Sequence, residues 1–162
     1  MRTTPAPRKA KRKMNNDPYP AQRPEIVNRQ RKIELDIPKF EAFSLELVAH
    51  VEEAAASQFV VAFVSDRKMT ELNTAYRGKK STTDVLSFPA EDESFEEAGS
   101  LGDIVISAEQ AARQAKSNRL SLEREIKQLM LHGLLHLCGY DHETDDGEMN
   151  GRELELREEL GI

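Results

Sequence analysis

The 162-residue chain is 32% charged and 38% hydrophobic, with one cysteine, no tryptophan and a formal net charge of −6. That length suits one domain, and no run approaches the ~20 apolar residues of a membrane-spanning helix or the apolar core of a secretory signal, so a soluble, cytoplasmic protein without a membrane partner is expected. The lone Cys138 excludes an intramolecular disulfide framework and a multi-cysteine zinc site. An acidic average speaks against a polyanionic partner, but the charge is unevenly placed. Arg2, Arg8, Lys9, Lys11, Arg12, Lys13 and Arg23 face only Asp17 in residues 1–24, which makes that segment +6 and leaves −12 on residues 25–162.

Residues 1–24 also hold Pro5, Pro7, Pro18, Pro20 and Pro24 and few aliphatic side chains. Such a segment buries too little to offset its ordering entropy and reads as a basic disordered tail. From residue 25 to 162 the composition is that of a folded domain. A strand is expected at Ile26–Gln30, then, after Pro38, a helix with Phe40, Phe43, Leu47 and Val51 on one face. Phe59–Val64 reads as a buried strand, and Asp66 as the N-cap of a helix carrying Met69, Leu72 and Tyr76 that ends at Gly78. A strand at Val85–Phe88 stops at Pro89. Glu91–Gly99 is too acidic for a core and reads as an exposed loop, followed by a strand at Leu101–Ile106. Ser107 and Ser121 are expected to cap two helices, and Glu148–Leu160 to form a last, charged one. About four strands mixed with about five helices predict a compact α+β domain, one sheet covered by helices.

Three of the four histidines fall in the run His132-Gly-Leu-Leu-His136-Leu-Cys-Gly-Tyr-Asp-His142. Four residues of helix turn about 400°, so His132 and His136 share a face one turn apart. Gly139 suits the left-handed conformation that ends a helix, and the reversal through Tyr140 and Asp141 can return His142 to that face. Three neutral imidazoles and one open position make a catalytic zinc site, and the predicted chemistry is hydrolysis by a metal-activated water. Three imidazoles would also accept nickel or copper. Cys138 projects to another side of the helix from His136 and is expected in the core, and His50 reads as an ordinary histidine. The spacing is shared with metzincin peptidases, but Gly133 stands where their catalytic glutamate would be, which argues against peptidase chemistry.

Two further motifs accompany the histidines: Leu72-Asn73-x-x-Tyr76-Arg77 running on to Thr83-Asp84-Val85-Leu86-Ser87-Phe88-Pro89, and Leu101-Gly102-Asp103-Ile104. In this order and spacing the chain resembles the YbeY-type endoribonucleases, the ribosomal RNA maturation factor family, over about residues 25–160. Cys138 departs from the aliphatic residue common at its position. The resemblance implies a zinc on His132, His136 and His142, and a functional arginine at Arg77. It also implies hydrolysis of single-stranded ribosomal RNA in small-subunit 3′-end maturation, and a place in late ribosome assembly and quality control. A small-subunit ribosomal protein and an Era-type GTPase are among the partners it implies. Catalysis is thus expected to rest on Arg77, His132 and His136. Lys79 and Lys80 add positive charge beside Arg77, and Asp84, Asp103 and Asp141 are candidates to orient histidines or contact RNA. A ribosome-assembly module with a mainly structural zinc is the alternative, and a metallopeptidase a more distant one.

Overall fold

A computed structural model describes residues 23–91 and 99–162. Residues 1–22 of the tail expected at 1–24 and most of the expected acidic loop lie outside the described residues. Four strands, β1 (Glu25–Asn28), β2 (Gln58–Val64), β3 (Val85–Pro89) and β4 (Ser100–Ser107), form one mixed sheet in the order β1-β2-β4-β3. The β1–β2 and β2–β4 pairs are parallel, and β3 runs antiparallel to β4. Among the described residues five α-helices accompany them: α1 (Ile37–His50), α2 (Asp66–Arg77), α3 (Ala108–Asn118), α4 (Leu122–Leu137) and α5 (Glu148–Leu160). The expected α+β architecture is the observed one.

Alternation along the strands divides the apolar side chains between the two faces. Phe59, Val61 and Phe63 of β2 join Ile104 and Ile106 of β4 beneath α1, α4 and α5, where Phe43, Leu47, Ile126, Met130 and Leu134 are fully buried. Each of these side chains contributes roughly 1.5–3 kcal/mol by leaving water. The opposite face carries Val64, Leu86, Phe88 and Val105 under Met69 and Leu72, so α2 covers it. Thus α2 and α4 flank the edge strand β3 from opposite sides. Ser87 faces α4, where its hydroxyl donates to the Gly133 carbonyl at 3.1 Å.

Local chemistry moved some boundaries. The first strand ends at Asn28 rather than Gln30, because the Gln30 side chain turns the chain by bonding the Asn28 side chain and both backbone groups of Ile33. Pro38 lies inside the first turn of α1, where a missing N–H costs nothing. The cap of α2 is Ser65, which accepts from the Lys68 N–H at 3.2 Å, and not Asp66. Asp66 instead accepts from the Ser107 and Thr82 hydroxyls at 2.7 and 3.0 Å and pairs with Arg113 at 2.7 Å, tying α2 to α3 and β4. Ser107 and Ser121 cap α3 and α4 as expected.

Candidate metal centre

Helix α4 is buried along most of its surface, and His132 and His136 stand on the side left open. The helix ends as its glycine predicts. Gly139 takes φ +101°, the Tyr140 N–H bonds back to the Leu135 carbonyl at 3.1 Å, and the chain reverses. This reversal returns His142. Ring centroids lie 4.8 Å apart for His132 and His136, 4.9 Å for His136 and His142, and 5.4 Å for His132 and His142. One nitrogen from each falls within 4.8 Å of the others.

The hydrogen bonds around the rings fit a metal. His132 meets Glu153 Oε2 through Nδ1 at 3.1 Å, and His136 meets the Tyr140 carbonyl through Nδ1 at 3.0 Å. Acceptors at both Nδ1 atoms put the proton there and leave both Nε2 lone pairs for an ion, the arrangement of metal-binding histidines. His142 Nδ1 lies 3.1 Å from His136 Nε2, close to the roughly 3.4 Å between two nitrogens on one tetrahedral zinc. Burial, then the neighbouring His132, hold the His136 pKa below the ordinary imidazole value, against the opposing pull of the Tyr140 carbonyl. That direction favours the neutral ring a metal ligand must present. Cys138 stands apart in the core, and burial pushes its thiol up to about 12. His50 is exposed on α1, its ring against the Glu46 carbonyl, away from the centre.

Glu153 is the carboxylate that sequence reading missed. It occupies the buried stripe of α5 with Met149 and Leu156, and the i, i+3/i+4 spacing of a glutamate among apolar residues was its only signal. Its second oxygen accepts from Arg157 Nη2 at 2.9 Å. Burial raises the Glu153 pKa, but the hydrogen bond to His132 and the Arg157 guanidinium outweigh it and hold the carboxyl below its ordinary range.

The histidines border a cleft of about 930 Å³ between β3, α3, α4 and the middle of α5, lined also by Arg77, Asp84, Ser87, Tyr140 and Asp141. Arg77 reaches the cleft from the end of α2, whereas Lys79 and Lys80 are exposed outside its walls. Asp84 accepts from the Val85 N–H and from Gln114, and Asp141 from the Glu143 N–H, each holding a turn or wall rather than a histidine. Asp103 is exposed on β4 and does not line the cleft. At the far wall the buried Glu125 accepts from Gln114 and Asn118.

A mixed sheet with a three-histidine centre on a helix and its terminal turn, open to a large cleft, defines an α+β protein of the metal-dependent hydrolase kind. The family model described as Endoribonuclease YbeY matches residues 25–161, and the chain belongs to that family. It is 40% identical over 146 residues to the Endoribonuclease YbeY of Alkaliphilus metalliredigens, covering 85% of this chain and 94% of that one. The Sulfurovum relative of the same name is 40% identical over 134 residues, covering 80% and 91%. The solution structure of TM1509 from Thermotoga maritima matches with a TM-score of 0.59 at 28% identity, covering 85% of this chain and 88% of that one.

Proposed function

We propose that the chain is a zinc-dependent endoribonuclease that cuts single-stranded ribosomal RNA in small-subunit 3′-end maturation and late ribosome assembly and quality control, acting in the cytoplasm. The observation that carries this reading is the convergence of three imidazoles at a cleft that Arg77 also lines. His132, His136 and His142 would hold the zinc. Bound there, zinc supplies Lewis acidity toward a phosphoryl oxygen and acidifies water at neutral pH. The chain's own groups do the rest. Glu153 and the Tyr140 carbonyl fix two rings, and Arg77 offers a planar, two-pronged donor to the non-bridging oxygens as charge develops on them.

Electrostatics bears on how RNA arrives. The cleft walls carry Asp84, Glu125, Asp141, Glu143 and Glu153 against the guanidiniums of Arg77 and Arg157. Affinity for free RNA is then weak, salt-sensitive and dependent on the metal charge, so delivery falls to protein partners on the small subunit, including a ribosomal protein and an Era-type GTPase. A structural zinc in a ribosome-assembly module would close its fourth position with a protein ligand. Among the described residues the histidine group has no fourth His, Cys, Asp or Glu ligand, which favours catalysis.

Arg77→Ala tests the reading. It should keep its metal and fold, since Arg77 is exposed at a helix end, while cleavage of a labelled single-stranded RNA falls by about 10²–10³-fold. Undiminished cleavage by pure Arg77→Ala protein would remove Arg77 from the reaction.

A further inference from the structure

Tyr76, immediately before Arg77, is left over from the metal centre and the core. Its side chain is 68% exposed, although tyrosines in folded domains ordinarily bury much of their ring. The ring is nevertheless held in place. It packs edge-on against Phe88 of β3 at a centroid distance of 4.9 Å and an interplanar angle of 65°. Phe88 alternates with Ser87 and Pro89, which line the metal cleft, so Tyr76 lies across the edge strand β3 from the cleft, one residue before Arg77, which lines it.

The segment after Tyr76 is cationic and fixed. Gly78 takes φ +67°, and the turn is tied to α2 by Gly78 N–H to Thr74 O at 3.1 Å, Lys79 N–H to Asn73 O at 3.3 Å and Asn73 Nδ2 to Ser81 O at 2.9 Å. Arg77, Lys79 and Lys80 ride on this turn, and among the described residues none of the three has a carboxylate within salt-bridge distance. An exposed aromatic ring packed on Phe88, followed by three cations with no carboxylate partner among the described residues, is a combination suited to single-stranded nucleic acid. The ring takes a base and the cations take the backbone on either side.

We propose that Tyr76 is a stacking platform for an unpaired base of the RNA, with Lys79 and Lys80 on the adjoining phosphates, so that the strand passes from this platform into the cleft at Arg77. The proposal rests on the RNA reading above and adds a binding site outside the metal centre. It explains a preference for single strands, since a base inside a duplex has no free face to offer.

The test is binding without cleavage. A fluorescein-labelled 2′-O-methyl hexanucleotide, which cannot be cut by attack of its own 2′ oxygen, is titrated with the zinc-loaded full chain and followed by fluorescence anisotropy, with gel electrophoresis confirming that it stays intact. Tyr76→Ala should weaken binding by about tenfold, while Tyr76→Phe, which keeps the face, stays within about twofold of wild type. A duplex of the same sequence should bind both variants alike. Because the ring is mostly exposed, both variants should fold, and circular dichroism checks this. Single-strand affinity unchanged in Tyr76→Ala, or lost equally in Tyr76→Phe, overturns the platform. Cleavage is measured separately: wild-type protein that binds the strand through Tyr76 but cuts no RNA would sink the nuclease reading and leave the platform standing.

Discussion

His136→Ala should bind no metal and lose RNA cleavage by more than about 100-fold, a larger effect than the 10–100-fold typical of removing a group that merely orients a ligand. His136 is the central member of the group. Its ring is about equally distant from the other two, at 4.8 and 4.9 Å, and its Nε2 lies 3.1 Å from His142. Two imidazoles without it would bind an ion far more weakly. The fold should survive, because the core beneath α4 is made by Ile126, Met130, Leu131, Leu134 and Leu135 on its other sides. Elemental analysis of the purified variant beside wild type, with circular dichroism for folding, checks both halves. A folded His136→Ala protein with a full equivalent of metal would remove the three-histidine centre.

Gly133→Ala should lower the urea midpoint, against the usual rule for helices. Replacing glycine by alanine in a helix interior normally stabilises by about 1 kcal/mol. Here the new Cβ would lie 2.7 Å from Ile104 Cγ2, 3.2 Å from its Cγ1 and 3.3 Å from the Ser87 hydroxyl, and Ile104 is fully buried. Overpacking a core costs roughly 1–3 kcal/mol, which exceeds the propensity gain across most of its range. The same geometry stands against the glutamate of the peptidase pattern: at position 133 the helix presses against β3 and β4, and any side chain there would meet Ile104 and Ser87. Gly133→Glu should therefore be more destabilised than the alanine variant and gain no peptidase activity. An alanine variant with a raised midpoint would contradict this packing account.

Much of the fold and the centre was legible because it follows from spacing. The i, i+4 histidines, the helix-ending Gly139 and the serine caps each act through local geometry, and His142 returned where the reversal required it. What escaped depends on which residues meet across the fold. Glu153 lies 21 residues from His132 and reaches it only when α5 packs on α4. Asp66 looked like a cap, yet its partners are Ser107, Thr82 and Arg113, whose proximity the sheet creates. Asp103 looked as available as Asp84 or Asp141, but strand alternation leaves it exposed on β4, away from the cleft. The cationic run Arg77, Lys79 and Lys80 was legible despite the acidic average, but Glu125, Glu143 and Glu153 on the cleft walls were not.

The most direct test of a metal-dependent RNA hydrolase is a zinc titration of chelator-stripped protein, read as the rate of cleavage of a labelled single-stranded RNA. The rate should be near zero without metal, rise linearly with zinc and level off at about one equivalent per chain, as one three-histidine site demands. Cleavage that is already complete in the stripped protein, or that does not respond to zinc or to another divalent metal accepted by imidazole, would contradict the account at its centre.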